Sequence, residues 1–333
     1  MLFRSIGEGT QAQLSIGAFK TDKTGVLRVN NKRTVILRGF DVGPNDLLGT
    51  VFGKTNNTEQ AYEERMESNI ELQNLIVLEN KILVEEGGTL VLPGSVEVRN
   101  TLLESNGTID GVQSMKITNS ALLRFGKVAN MGRHLPSNVV LEQLVIENNA
   151  TIVLQGTPAY IEAKTFVIGD ASTKIPQAFL NVSQDTIINS TSLQVMPSGT
   201  IMGYGRGFKS NYNGNKTRGG PGGGLQSLQG GSHGGRGGNQ NDIPGMQGGY
   251  GSYINPISPG SGGWAGSHDS AGHDGRGGAA IQFYGGKTFV VDGLIDVSGG
   301  HGDSRQTEMG GGAGGSVLAR LEGPLTGTGV IRA

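Results

Sequence analysis

The sequence predicts an all-β fold: a right-handed parallel β-helix, or solenoid, that carries glycine-rich loop insertions. Three observations support this prediction. Short runs of Val, Ile, Leu and Thr recur through residues 71–202, with turn residues between them. A pattern of two apolar residues around a polar turn returns at roughly 30-residue intervals, a period typical of stacked units. Residues 203–333 alternate glycine blocks with further strand-like runs.

Residues 1–70 form an N-terminal β segment that could end a preceding module of a longer chain. One stretch of this segment favours a helix, Gln60–Glu71, because Tyr62, Met66 and Ile70 recur at four-residue spacing. The rest of the segment shows period two or short apolar runs, which are typical of strands. We therefore expect β-structure with one short helix here.

The repeated pattern places an apolar residue six positions before another, with a small or polar residue two positions before the second. We interpret it as a corner, where polar residues turn the chain and a small residue lets the next strand begin. Both apolar residues then point into a shared core. The copies are Val84 with Leu90, Ile117 with Leu123, Ile146 with Ile152, Val195 with Ile201, and a weaker copy, Val29 with Val35.

The spacing between copies suggests stacked rungs over residues 71–202. Val84 lies 33 residues before Ile117, and Ile117 lies 29 residues before Ile146. Repeats of this length stack so that each unit buries an apolar face that it cannot bury alone. The same regular spacing is also typical of a β-sandwich with irregular turns, which stays open as the alternative.

Glycine divides the chain, since 18 of its 59 glycines lie in residues 1–200 and 41 in residues 201–333. Residues 203–278 are the predicted glycine-rich loop region, and residues 279–333 return to rungs. Aromatic residues and arginines distinguish this region from a flexible linker. We expect its loops to pack on the solenoid and to form a recognition surface; the alternative is a disordered low-complexity insert. The predicted ligand-binding residues are Tyr204, Tyr250, Tyr253, Trp264, Arg236 and Arg276.

These blocks also carry a family resemblance. GGSHGGRGG, GRGGAAIQFYGG, TFVVDGLIDVSGG and GGGAGGSVLARLEGPLTGTGVIRA resemble the glycine-rich modules of very large extracellular surface proteins of the pectin-lyase-like or adhesin type. The resemblance covers residues 190–333 well and residues 70–190 only in their general rung pattern. It implies a parallel β-helix at the cell surface or outside the cell, and it carries no catalytic residues.

Pectin-degrading enzymes share this architecture, so an enzyme is the alternative function. Gly300-His301-Gly302 matches a short motif of polygalacturonase-like glycosidases. Those enzymes also place carboxylates across the scissile bond. Their Asn-Thr-Asp, Asp-Asp and Arg-Ile-Lys motifs are absent from this sequence. We therefore predict no enzyme activity; the alternative is a polysaccharide lyase or glycoside hydrolase.

One cluster of residues could bind a metal ion, although we predict no cofactor. His268-Asp269 and His273-Asp274 stand five residues apart, and His233, His301 and Asp303 lie in the same glycine-rich part of the chain. Calcium or zinc could be held there if the loops folded together. Solvated polar loop residues are the competing interpretation.

Six sequons of the form Asn-x-Ser/Thr indicate a secreted glycoprotein. We expect all of them in turns or between strands, where a glycan can be exposed. Unused sequons of a bacterial surface protein are the alternative. The sequons begin at Asn56, Asn106, Asn149, Asn181, Asn189 and Asn215.

Composition narrows the partners. The formal net charge is −1 and aromatic residues make up 5% of the chain, so we predict no nucleic-acid binding. No apolar run is long enough to span a membrane. The absence of cysteine fits either a cytosolic protein or a large extracellular solenoid. We therefore expect an extracellular or cell-surface structural or adhesive segment, whose partners are glycans, matrix or surface proteins and flanking domains; a mechanical spacer is the remaining alternative.

Overall fold

The chain has an all-strand architecture wherever its structure is described. The computed structural model describes residues 11–15, 18–20, 26–29, 34–38, 75–84, 86, 88–92, 94–127, 129–131, 138–210, 219–225, 229–235, 237–238, 248–264, 275–302 and 310–333, with side chains from Ile82 onward. These residues form strands, turns and extended segments and no helix. The predicted helix at Gln60–Glu71 lies outside the described residues.

The chain divides into two compact units. The first comprises residues 1–156 and 162–167, and the second comprises residues 157–161 and 168–333. Each unit contains parallel strands that pair in register with the equivalent strands of the next coil. The units are described in turn.

The first unit contains thirteen strands among its described residues. Their pairings are parallel, as in a stack of coils: β5 pairs with β7, β7 with β9 and β9 with β12, while β4 pairs with β6 and β6 with β8. The strands are β1 (Gln11–Ser15), β2 (Ala18–Lys20), β3 (Val26–Val29), β4 (Thr34–Arg38), β5 (Leu75–Val84), β6 (Thr89–Val91), β7 (Ser95–Ser105), β8 (Thr108–Asp110), β9 (Ser114–Thr118), β10 (Leu122–Phe125), β11 (Asn130–Met131), β12 (Asn138–Ile146) and β13 (Thr151–Leu154).

The predicted 29-residue spacing is a true register, because Ile117 pairs with Ile146 and Leu123 with Ile152. The predicted 33-residue spacing is wrong. Val84 pairs with Ser105 and not with Ile117, so these two residues lie on different ladders.

The basic coil of the first unit is shorter than the sequence spacing suggested. Leu75 pairs with Ser95 and Ser95 pairs with Ser114, so these two coils are offset by 20 and 19 residues. The next coil is longer, since Ser114 pairs with Gln143. The longer offset arises because the chain between β9 and β12 also forms β10 and β11.

The second unit contains the strands β15 (Ala178–Asn181), β16 (Asp185–Val195), β17 (Gly199–Met202), β18 (Ala280–Val291), β19 (Leu294–Asp296), β20 (Ser316–Leu321), β21 (Leu325–Thr326) and β22 (Val330–Arg332). The strand β14 (Ala159–Ile168) contributes residues 162–167 to the first unit and its two ends to the second. The printed pairings of β15 to β22 are again parallel.

Register shows where the glycine-rich region enters the second unit. Ala178 pairs with Gly199, an offset of 21 residues, whereas Thr200 pairs with Leu294, an offset of 94. The additional chain runs from the end of β17 to the start of β18. A second and smaller excess follows β19, since Leu294 pairs with Val330 at an offset of 36. The two glycine-rich stretches therefore leave and re-enter the ladders at neighbouring edges.

The core consists of the inward-facing residues of successive coils. Burial alternates along the strands, as period-two side-chain direction requires. All eight residues of the four strong corner copies are at most 1% exposed, which confirms their predicted inward orientation. Each such side chain contributes about 1.5–3 kcal/mol by leaving water. They are Val84, Leu90, Ile117, Leu123, Ile146, Ile152, Val195 and Ile201. All-β parallel pairing around this core is consistent with a solenoid.

Candidate functional site

The candidate site is built on extended glycine segments that are not β-strands. Residues 259–264 illustrate how these segments pair. The amide of Gly260 donates to the carbonyl oxygen of Gly278 at 2.9 Å, and the amide of Gly263 donates to that of Gly275 at 2.7 Å. The same two segments thus bond at every third residue and run antiparallel. In a β-strand, bonds to one neighbour recur at every second residue instead.

The same segment has a second neighbour with the same spacing. The carbonyl oxygens of Ser261 and Trp264 accept hydrogen bonds from the amides of Ala313 (2.9 Å) and Gly310 (2.8 Å). Three residues per turn is the period of the polyproline II conformation, which makes no hydrogen bonds within itself. We therefore describe residues 203–208, 219–224, 229–235, 259–264, 275–279, 297–302 and 310–315 as the glycine bundle, a set of extended segments bonded to one another.

Glycine is required in the bundle because the backbones touch. A Cβ atom added to Gly277 would come within 3.0 Å of the carbonyl oxygen of Gly260. The same holds for Gly312 against Arg276 and for Gly278 against Val297. A side chain at these positions would force the segments apart and break their hydrogen bonds. The glycine density of this region therefore has a packing cause.

A cleft of about 610 Å³ lies where the bundle meets the start of β20. It is lined by backbone and by polar and aromatic side chains from three segments distant in sequence. None of its side chains from the described residues is a carboxylate. The lining residues are His233, Gly234, Gly249, Tyr250, Gly251, Ser252, Tyr253, Pro256, Gly314, Gly315, Ser316, Val317 and Ala333.

His233 is fixed at the wall of this cleft. Its Nδ1 lies 2.9 Å from the carbonyl oxygen of Gly314, and its Nε2 lies 3.5 Å from Oγ of Ser316. A carbonyl oxygen only accepts, so Nδ1 carries a proton. The Ser316 hydroxyl donates to the carbonyl oxygen of Ser258 at 2.6 Å and therefore holds the loop to β20. The imidazole lies against Tyr250, with ring centroids 4.8 Å apart.

Tyr250 anchors the loop rather than contacting solvent freely. Its hydroxyl donates to the carbonyl oxygen of Pro259 and accepts from Oγ of Ser261 at 2.9 Å. Burial raises the pKa of the Tyr250 phenol, opposed by the hydrogen bond from Ser261. The phenol is therefore neutral at physiological pH, because its ordinary pKa is already about 10.

The loop beyond Tyr250 presents apolar groups to solvent. Tyr253 is 95% exposed and Ile254 is 73% exposed, and Ile257 is exposed as well. The loop is nevertheless tied down, since Nη2 of Arg320 on β20 donates to Oδ1 of Asn255 at 3.0 Å. An exposed aromatic side chain on a fixed loop is suited to contact a ligand, because little conformational entropy is lost on binding.

The other predicted ligand-binding residues lie elsewhere. Tyr204 is half-buried, and its hydroxyl accepts from the amide of His301 at 3.2 Å. Trp264 is half-buried too, and its indole Nε1 is buried without a hydrogen-bond partner in the described residues. That placement suits a packing role better than a ligand contact. Arg276 is half-buried in the bundle, while Arg236 lies outside the described residues.

The metal prediction remains open. His268, Asp269, His273 and Asp274 all lie outside the described residues. Within the described part of the chain, no group of three or more metal-ligating side chains occurs.

The sequons differ in their surroundings. Asn106 and Asn149 are exposed at turns, as expected. Asn181 and Asn189 are half-buried within β15 and β16, so the expectation that every sequon lies in a turn or between strands was wrong. Both asparagines fall on the outward side of a period-two pattern whose apolar residues face the core. Asn56 and Asn215 lie outside the described residues.

Comparison with protein-family models, with curated proteins and with solved structures found no match to this chain. In the part of the chain that the structure describes, no helix is long and apolar enough to cross a membrane. The assignment of function therefore rests on the site itself.

Sequence reasoning found Tyr250 and Tyr253 and missed the role of His233 and Ser316. His233 had been grouped with possible metal ligands, and Ser316 is 83 residues from it in the chain. No local motif joins them, because the contact depends on how the glycine bundle brings β20 to residues 229–235. The usable signal was only that His233 stands in a glycine block rich in aromatic neighbours.

Proposed function

We propose that this chain is a structural and adhesive segment of an extracellular surface or matrix protein. In this proposal it is a right-handed parallel β-helix with glycine-rich loop insertions, and the insertions present a cleft that binds glycans or matrix proteins. The single observation that carries the proposal is the nearly fully exposed Tyr253 on a tethered loop at the rim of that cleft.

The chemistry of the cleft supports binding by stacking and hydrogen bonding. Tyrosine offers a rigid apolar ring with one polar end, which explains its enrichment in recognition surfaces. Beside it, the lining supplies an imidazole, the hydroxyl of Ser252 and several backbone groups. A few placed polar groups around an apolar face are typical of small-ligand sites. A sugar ring, with one apolar face and a rim of hydroxyls, matches this arrangement.

The exposed sequons add support for an extracellular location. Asn106 and Asn149 stand at solvent-facing corners, where a glycan would be accommodated without disturbing the core. Flanking domains of a longer chain and extracellular partners are part of the same proposal.

A carbohydrate-active enzyme on a parallel β-helix is the second candidate. It requires two or more convergent carboxylates across a bound sugar. The described lining of the cleft offers none. His301 of the Gly-His-Gly motif contacts Tyr204, at 6.1 Å between ring centroids, and not a carboxylate pair. We therefore favour binding over turnover.

The test is a binding screen against glycans and matrix proteins with two pairs of variants. Tyr253→Ala and Ile254→Ala remove exposed groups of the loop. Ile175→Ala removes an equally exposed apolar side chain, 68% exposed, from the turn after β14. We expect the first two variants to weaken binding by about tenfold, and Ile175→Ala to leave it unchanged. Binding that survives both loop variants would place the recognition surface elsewhere.

An enzyme assay accompanies the screen. Wild-type protein is incubated with uronic-acid polymers and reducing ends or unsaturated products are measured. We expect no turnover. Turnover that is lost in His301→Ala would overturn the binding proposal in favour of the enzyme.

A further inference from the structure

Two arginines of the glycine bundle are brought together where three segments leave the strands. The amide of Gly207 donates to the carbonyl oxygen of Gly277 at 2.6 Å, so the neighbouring residues Arg206 and Arg276 stand on adjacent backbones. The amide of Gly300 in turn donates to the carbonyl oxygen of Arg276 at 2.7 Å. The two guanidinium groups thus share one small region of the bundle.

An aromatic side chain closes the same region. The amide of Gly205 donates to the carbonyl oxygen of Ser298 at 3.1 Å, which sets Tyr204 beside the segment of His301. The Tyr204 hydroxyl accepts from the His301 amide, and His301 itself is exposed. Two cations, one imidazole and one tyrosine ring therefore surround this place.

The charges of the two arginines are not balanced within the described residues. Neither guanidinium has an ion-pair partner there. The carbonyl oxygen of Asp296 accepts from the amide of Gly203, but its carboxylate accepts from the amide of Ser298 (2.9 Å) and faces Arg332 (4.0 Å). Burial lowers the pKa of Arg206, and the nearby charge of Arg276 lowers it further. Placing two cations together in a half-buried position costs free energy unless an anion offsets it.

We infer that Arg206, Arg276 and Tyr204 form a binding site for an oxyanion carried on a sugar, either the carboxylate of a uronic acid or a sulfate ester. Guanidinium groups bind planar or tetrahedral oxyanions through paired hydrogen bonds. Tyr204 provides an aromatic surface for the ring that carries the anion. The site goes beyond the proposed cleft, which has no charged side chain among its described lining residues other than an ionisable imidazole, and it does not depend on that cleft.

The experiment titrates isotope-labelled protein with two matched pairs of probes, galacturonate against galactose and N-acetylglucosamine 6-sulfate against N-acetylglucosamine. The signals of arginine side-chain Nε–H groups are followed by NMR. We expect saturable shifts of the Arg206 and Arg276 signals with one or both anionic probes and none with the neutral sugars. The anionic pair that responds identifies the source of the oxyanion. Shifts spread evenly over all arginines, or no saturable shift, would overturn the inference.

Variants then assign the binding. Arg206→Gln and Arg276→Gln should each lower the affinity at least about tenfold. Lys174→Gln removes an exposed charge of the same unit and should change the affinity by less than about twofold. Equal effects of all three changes would indicate non-specific attraction and overturn the site. Arg206→Lys keeps the charge and tests folding, and the wild-type titration decides the question if a Gln variant is unfolded.

This outcome is separable from that of the proposed function. Tyr253→Ala should leave the anionic titration unchanged, because Tyr253 contributes to the cleft and not to the arginine pair. If anionic sugars bind normally while every cleft variant is silent, the cleft proposal fails and the oxyanion site stands. If cleft variants weaken glycan binding while no arginine signal shifts, the reverse holds.

Discussion

Asn119 and Asn148 occupy the same corner on two successive coils, and each has a left-handed backbone with a φ of 51°. The amide of Ser120 donates to the carbonyl oxygen of Asn148 at 3.0 Å and so joins the two corners. Asn100 continues the row, with a φ of 50° and an amide that donates to the carbonyl oxygen of Asn119 at 3.0 Å. Asparagine enters this conformation more readily than other side-chain-bearing residues, which explains its place in the corner.

Asn119→Val should destabilise the protein. A β-branched side chain resists the left-handed conformation, so the free energy of unfolding should fall by about 1–2 kcal/mol. Asn119→Gly is the control, since glycine adopts this conformation without strain and should cost clearly less. Urea denaturation of both variants measures the difference. Equal losses would show that the corner does not depend on backbone conformation.

Gly277→Ala should disrupt the glycine bundle. Its new methyl group would meet the carbonyl oxygen of Gly260, and overpacking against rigid backbone typically costs about 1–3 kcal/mol. Gly235→Ala is the matched control, because nothing lies within 4 Å of a Cβ built there. Thermal unfolding of the two variants tests this. An unchanged melting temperature for Gly277→Ala would contradict the close packing of segments 259–264 and 275–279.

Asp185→Asn should stabilise the protein at neutral pH. Burial raises the pKa of the Asp185 carboxyl, opposed by the side-chain amide of Gln282 at 3.4 Å. Because the folded pKa exceeds the unfolded one, the carboxylate costs stability above both values, and this cost disappears as the pH falls through the folded pKa to below the unfolded one. The gain in melting temperature should therefore shrink in acid.

Asp170→Asn is the matched variant with the opposite sign. Hydrogen bonds from the hydroxyl (2.5 Å) and amide (2.7 Å) of Ser172 lower the pKa of the Asp170 carboxyl. The stability it contributes is present above the unfolded pKa and is lost as the pH falls through the folded pKa. Asp170→Asn should lower the melting temperature at neutral pH and matter less in acid. Melting curves of both variants with the same pH dependence would contradict these assignments.

The core could be predicted from the sequence because burial leaves a local pattern. Each corner copy pairs two apolar residues six positions apart, and that pattern needs no knowledge of the partner coil. The register could not be predicted in the same way. Ile117 pairs with Ile146, whereas Val84 pairs with Ser105, and a serine at the partner position hides the repeat. A 19- or 20-residue coil is therefore invisible where polar residues occupy equivalent positions.

The glycine bundle and its cleft were predicted only in outline. Aromatic residues suggested that the glycine region packs on a surface, and Tyr250 does anchor a loop there. The larger contribution comes from backbone hydrogen bonds between glycines, which carry no side-chain pattern to recognise. For the same reason, the meeting of His233 with Ser316 and of Arg206 with Arg276 followed from no motif. Such contacts become visible only when the paths of the segments are known.

The most direct test of the central claim is amide hydrogen exchange of residues 259–264, the segment that organises the bundle and closes with the loop of the cleft. The amides of Gly260, Gly262, Gly263 and Trp264 all donate to backbone carbonyl oxygens of neighbouring segments. A synthetic peptide of residues 255–264 gives the unprotected rate. We predict exchange at least about a hundredfold slower in the protein than in the peptide. Equal rates in both would show that the glycine-rich region is unstructured and that it cannot present a fixed binding cleft.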